Sequence, residues 1–202
     1  MIRTIVFDFG NVVAFFDHQR AVEKLAAFTD LNPVELALVL YGSPIEMDYE
    51  IGRLSTAGYV REAILNGRLT CSDEEFLACF CDIFWPNPEV CELIPRLKLG
   101  YRLILASNTN AAHFQRYTQD FADTLKHCDH LVASHQVGSR KPLTNFFLSA
   151  QRATQTAPAE CVFIDDLPVN VEAAGRMGWK GIAYRPGGSL LTQLRALGVQ
   201  LA

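Results

Sequence analysis

Residues Ile5-Val6-Phe7-Asp8-Phe9-Gly10-Asn11-Val12-Val13 carry one carboxylate out of a run of apolar side chains and into a turn of small residues. With Ile2 ahead of them, Ile5, Val6 and Phe7 are apolar without alternation, the pattern of a parallel-sheet strand covered on both faces. Open α/β sheets place ligands beyond the carboxyl ends of such strands. Asp8 is therefore expected where a nucleophile or a metal ligand belongs.

Three further apolar runs each lead into polar residues. Leu103-Ile104-Leu105-Ala106 precedes Ser107-Asn108-Thr109, and Leu131-Val132-Ala133 is followed at a distance by Gly138-Ser139-Arg140-Lys141-Pro142. Cys161-Val162-Phe163-Ile164 runs into Asp165-Asp166 and then Asn170. Singly, each signal has an ordinary explanation: Ser107 or the acidic pair as helix caps, Lys141 as a solvated charge, Asp8 as a turn residue. Jointly, in this order, they point to one shared site. Aspartate, then Ser/Thr, then lysine, then paired acids resembles the haloacid dehalogenase-like (HAD) superfamily of phosphohydrolases. The resemblance implies an α/β fold: a Rossmann-like parallel-sheet core with a helical cap inserted just after the first motif.

The texture of the chain agrees with that division. Residues 15–89 lack parallel-strand patterns and carry helical periodicity instead, as in Val22, Leu25, Ala26 and Thr29, or Phe76, Cys79, Phe80 and Ile83. Asn32-Pro33 and Ser72-Asp73-Glu74-Glu75 read as helix starts, the second as a capping box. Trp85-Pro86-Asn87-Pro88 breaks the pattern. Beyond it, helices near 89–98, 143–153 and 169–177 alternate with strands near 101–106, 131–133, 161–164 and 181–184, and a last helix starts near Ser189. Such alternation implies right-handed crossovers and a parallel sheet. The expected division is a core of residues 1–14 and 90–202 with a helical cap over 15–89. Met47-Asp48-Tyr49-Glu50-Ile51-Gly52-Arg53-Leu54-Ser55 looks like the acidic, Gly and Ser stretch common in such caps.

Composition narrows the partners. The 202 residues are 50% hydrophobic and 20% charged, with a formal charge of −4. No basic stripe offers a footprint for nucleic acid or an anionic membrane. The first apolar run is too short to span a bilayer and the start lacks a signal-peptide pattern, so a cytoplasmic location is expected. The six cysteines show no C-x-x-C pair and read as reduced thiols. His127-Cys128-Asp129-His130 lacks the paired spacing of a zinc motif.

The expected chemistry is phosphoryl transfer. A carboxylate can serve as nucleophile by forming an acyl phosphate that water then cleaves, and Asp8 is the candidate. Two acids ending one strand, Asp165 and Asp166, suit a hard divalent cation, Mg²⁺. The resemblance adds the Gly10 carbonyl as a ligand, makes Asp166 the closer acid, leaves Asp165 to act directly or through water, and gives Asn170 a supporting hydrogen bond. Ser107 and the Asn108 amide are expected to bind the phosphate, and Lys141 to let two anions approach each other. The partner would be a small phosphorylated metabolite.

One position departs from the pattern. Most phosphatases of this superfamily carry a second Asp two residues after the nucleophile, where this chain has Gly10. That residue normally protonates the leaving alcohol, a contribution of about 10²–10⁴ in rate. Asp8-Phe9-Gly10-Asn11-Val12-Val13, followed by Asp17-His18, resembles a subgroup that includes the α-D-glucose-1-phosphate phosphatases. An anomeric oxygen is a less basic leaving group, so an anomeric sugar phosphate is the favoured substrate, with Asp17, His18 or a water as partial replacement for the acid. Two other functions compete: a 2-haloacid dehalogenase, which has no use for the acidic pair, and a phosphate-binding or regulatory protein without turnover. In the cap, Tyr41, Tyr49, Glu50 and Arg53 are candidate substrate contacts, and Gly52 and Gly58 are candidate hinges. His113 faces either the cleft or solvent.

Overall fold

The computed structural model describes residues 1–201. Thr4–Phe7 forms β1, with every residue buried. The chain then turns through Gly10 and Asn11; Asn11 has φ of +55°, a left-handed conformation that Asn tolerates better than most side chains. It enters a three-residue strand, β2 (Ala14–Phe16), and leaves the sheet.

Five helices follow: α1 (Gln19–Leu25), α2 (Pro33–Tyr41), α3 (Pro44–Glu50), α4 (Thr56–Asn66) and α5 (Asp73–Cys81). Local sequence explains their starts. Asn32 and Ser72 each close a capping box, with Glu35 and Glu75 respectively, while Ser43 and Ser55 cap α3 and α4. Their inward faces share an apolar cluster that includes Val22, Leu25, Leu36, Leu40, Tyr59 and Phe76.

β3 (Phe84–Pro86) pairs antiparallel with β2, tying the two chain crossings together. This two-stranded ribbon has no counterpart in the sequence reading, because three residues are too few to show a period. Thereafter come α6 (Pro88–Lys98), β4 (Arg102–Ser107), α7 (Ala111–Asp120), α8 (Ala122–Leu125), β5 (His130–Ala133) and α9 (Ser134–Val137). The chain ends with α10 (Thr144–Thr154), β6 (Cys161–Asp165), α11 (Pro168–Arg176), β7 (Lys180–Ala183) and α12 (Leu190–Ala196).

The main sheet has the order β5-β4-β1-β6-β7 with every pairing parallel, so the fold is α/β with β1 at its centre. Its alternate residues feed two apolar layers. Ile5 and Phe7 pack with Val90, Ile94 and Leu97 of α6 and Leu190 and Leu194 of α12. Val6 packs on the opposite face with Phe146, Phe147 and Ala150 of α10 and Ala173 of α11. Burial on both faces is the reason β1 shows no polar alternation. Among the described residues no helix is long and apolar enough to cross a membrane.

The helical block meets the sheet through α3. The Ser134 hydroxyl lies within hydrogen-bond distance of both the Glu50 and Thr109 carbonyls (2.7 and 2.9 Å), and the Tyr49 hydroxyl accepts from the Ala112 amide in the first turn of α7 (2.9 Å). Gly52, with φ of +73°, comes so close to α9 that an added Cβ would stand 2.0 Å from the His135 carbonyl oxygen. Close approach is therefore the structural requirement for glycine there. Gly52→Ala combines a left-handed penalty with overpacking against backbone, roughly 2–4 kcal/mol. The expected result is a Tm lower by on the order of 10 °C in a thermal melt.

Candidate active site

Three strand ends and one loop bring the polar residues together at the base of a single cleft of about 900 Å³. Asp8 follows β1 and is 8% exposed; Ser107 ends β4 at 3%; Asp165 ends β6 at 0%; Lys141 enters from the loop before α10 at 2%. The central position of β1 puts its neighbours β4 and β6 on either side of Asp8.

The Lys141 Nζ lies 2.7 Å from Asp8 Oδ1 and 2.7 Å from Asp165 Oδ2. Burial alone would push the ammonium down, but the two carboxylates more than offset this and hold it above its ordinary value. Its backbone is fixed as well: Asn108 Oδ1 accepts from the Lys141 amide (2.8 Å), and Asn108 Nδ2 donates to the Lys141 carbonyl (3.0 Å). The Lys141–Pro142 peptide is cis.

Burial pushes the Asp8 carboxyl up to about 7 against the pull of Lys141, and the nearby Asp165 and Asp166 add to the rise. Carboxylate oxygens of Asp8, Asp165 and Asp166 lie within 4.8 Å of one another, and no other cluster of three acidic, His or Cys ligands occurs among the described residues. The three acids differ in how fully they are occupied. Asp165 Oδ1 accepts from the Leu167 amide and Asn170 Nδ2 (both 2.9 Å), and Oδ2 accepts from Lys141 and again from Asn170 (3.1 Å). Asp166 is half-buried and receives one side-chain donor, Asn11 Nδ2, at 3.0 Å. Asp8 Oδ2 and the Gly10 carbonyl accept no hydrogen bond from a described residue. Open hard-oxygen donors thus remain on Asp8, Gly10 and Asp166, a set that fits Mg²⁺.

The Ser107 hydroxyl has only a long contact, 3.4 Å, to the Asn108 carbonyl and faces the cleft. Beside it lies Tyr117, whose ring stacks on Phe9 with centroids 3.9 Å apart. Gly10 abuts Phe16: a Cβ at position 10 would stand 2.8 Å from Phe16 Cε1. A side chain at position 10 would require that ring to shift.

Of the residues singled out in the helical block, Tyr41, Glu50 and Arg53 line the cleft. Tyr49 does not; it is buried, with its hydroxyl on α7. His18 lines the cleft with its ring stacked on Tyr41 at 3.8 Å, and burial lowers it to about 4. Asp17 instead accepts from the Gln19 amide at the exposed start of α1 (2.8 Å). His113 reaches the cleft but spends both ring nitrogens, one on Asn110 and one on the Phe80 carbonyl, each at 3.1 Å.

Sequence reading missed Arg140, Glu46 and the side chains of Asn11 and Asn108. Arg140 pairs with Glu50 at 2.9 Å across the cleft, joining the block to the lysine loop. Its adjacency to Lys141 was the available signal. Glu46 precedes Glu50 by four residues, which puts both on one helical face.

Comparison with known proteins follows the same lines. The chain is 27% identical over 192 residues to D-ribitol-5-phosphate phosphatase of Bacteroides thetaiotaomicron, covering 89% of this chain and 90% of that protein. A HAD-like family hydrolase of Porphyromonas gingivalis superposes with a TM-score of 0.84 at 25% identity, covering 99% of both chains. A HAD family enzyme of B. thetaiotaomicron, solved in complex with magnesium and inorganic phosphate, superposes at 0.83 with 18% identity, covering 96% of this chain and 100% of that one. The haloacid dehalogenase-like hydrolase family profile matches residues 2–178. With that match over most of its length, the chain belongs to the haloacid dehalogenase-like hydrolases.

Proposed function

We propose that the protein is a Mg²⁺-dependent phosphatase of a small sugar or polyol phosphate, working through an aspartyl-phosphate on Asp8. The observation that carries this reading is the convergence of Asp8, Lys141, Ser107 and Asp166 on one cleft. The phosphatase relative and the magnesium- and phosphate-bound neighbour support it.

Asp8, the Gly10 carbonyl and Asp166 would hold the metal, and Asp165 serves mainly as the anchor of Lys141, because its oxygens are occupied. Bound Mg²⁺ supplies positive charge to the phosphate oxygens. The chain's own residues do the rest. Lys141 neutralises Asp8 and the incoming phosphate, so that two anions can meet. The Ser107 hydroxyl and the Asn108 amide donate to the phosphate. Asp8 attacks phosphorus with one carboxylate oxygen, in line with the departing oxygen, while its other oxygen would hold the metal, and water then cleaves the acyl phosphate. Residues 15–89 act as the cap that covers the leaving group, which Tyr41, Glu50, Arg53 and Arg140 line.

The test is phosphate release from a panel of phosphorylated sugars and polyols. Turnover is expected with Mg²⁺, lost on chelation, restored by adding the metal back, and reduced to background in Asp8→Asn. Metal-independent release of halide from a 2-haloacid would instead identify a dehalogenase.

Gly10 removes the usual acid, so the basicity of the departing oxygen should matter. For the anomeric and primary phosphates of one sugar, kcat/KM is expected to be higher for the anomeric ester. Equal values would remove leaving-group basicity as a determinant.

A further inference from the structure

Gly10 carries no acid, and an added Cβ there would stand 2.8 Å from the Phe16 ring. Any proton for the departing ester oxygen has to come from another wall of the cleft. Most ionisable groups there are engaged. Asp8 binds Lys141, Asp166 accepts from Asn11, Glu50 pairs with Arg140, and Asp48 pairs with Arg53 at the exposed rim. His113 has no free nitrogen. Glu46 lines the same cleft, forms no ion pair among the described residues, and stands one helical turn from Glu50 on the wall that Arg140 joins to Lys141. In-line attack directs the leaving oxygen away from the Asp8 carboxylate and into the cleft that Glu46 lines.

Resting on the phosphatase reading above, we propose that Glu46 gives the departing ester oxygen its proton, supplying from the helical block what Gly10 cannot supply from the sheet. As the bond from Asp8 to phosphorus forms and the bond to the ester oxygen breaks, the electron pair stays on that oxygen. The Glu46 proton joins it, and a neutral alcohol leaves. In the second half the Glu46 carboxylate takes a proton from the attacking water. The bond between Asp8 and phosphorus breaks with its electrons returning to the carboxylate, and Glu46 is an acid again.

The surroundings suit this role. Burial and Glu50 on the same helix push Glu46 up to about 7, and Arg140 from the lysine loop opposes them. Tyr41 of α2 and Tyr59 of α4 also face it, and burial pushes both phenols up, so they stay neutral. A group titrating near 7 can both give and take a proton at neutral pH. His18, held to about 4, has no spare acidic proton there.

The test uses the Mg²⁺-loaded full chain and two esters that differ in their need for an acid: glycerol 3-phosphate and p-nitrophenyl phosphate. Glu46→Gln is expected to lower kcat/KM for the alkyl ester by about 10²-fold or more. The loss for the aryl ester should be at least tenfold smaller, since a nitrophenolate departs without a proton. Wild-type kcat/KM for the alkyl ester should fall as pH rises through about 7, and Glu46→Gln should lack that limb. His18→Gln should leave the ratio between the two esters as in the wild type. Equal losses for both esters in Glu46→Gln, or none for either, overturn the assignment. So does a changed ratio in His18→Gln with none in Glu46→Gln. A wild-type protein that hydrolyses neither ester nor any member of the sugar-phosphate panel brings down the phosphatase reading itself, and this inference with it.

Discussion

The site is organised around one buried ammonium. Lys141 stands between Asp8 and Asp165 at 2.7 Å from each, and removing it would leave two buried carboxylates without their shared cation. Breaking such a cluster costs about 3–5 kcal/mol, so its members constrain one another strongly. Asn108 holds the lysine backbone and Asn170 holds Asp165, so two neutral amides fix the geometry of the charged groups. This arrangement also distinguishes the paired acids. Asp165 is saturated by donors inside the protein, whereas Asp166 reaches the cleft with an open oxygen. Neighbours in sequence, they differ because Asp165 is the last residue of β6 and fully buried, whereas Asp166 lies just past the strand end at the cleft.

Much of this was legible in the sequence. The unalternating apolar run before Asp8 implied a central strand, and the two apolar layers on β1 explain why. The helix starts at Asn32 and Ser72 read correctly because they depend on contacts within one turn; the structure adds a capping box at Asn32 to the one expected at Ser72. Asp8 follows β1, Ser107 and the acidic pair come at the ends of its neighbours β4 and β6, and Lys141 comes after β5 one strand further out, so their approximate meeting place could be inferred from topology. The β2–β3 ribbon could not, since pairing across almost seventy residues leaves no local periodicity. Nor could the division of labour between Tyr49 and Glu50. Both belong to one helix, yet Tyr49 turns to the first turn of α7 and Glu50 to Arg140. Helical phase shows that the two diverge, and only the packing of α3 on the sheet shows which one meets the cleft.

The contact between α3 and the sheet ties the helical block to the lysine loop. Ser134 hydrogen-bonds across from the core to the Glu50 carbonyl, while the Glu50 side chain meets Arg140, the residue before the lysine. The α3 wall of the cleft and Lys141 are therefore two ends of a short chain of contacts. Substitutions on the exposed faces of α2 or α4 can alter the outer surface without disturbing this chain. Changes at Glu50 or Arg140 reach both ends at once.

The contact between Gly10 and Phe16 has a consequence for how such a chain could change over generations. A side chain arriving at position 10 would meet the Phe16 ring with its first atom, so the ring would have to turn aside to admit it. Positions 10 and 16 are thereby coupled, and a replacement at one is felt at the other.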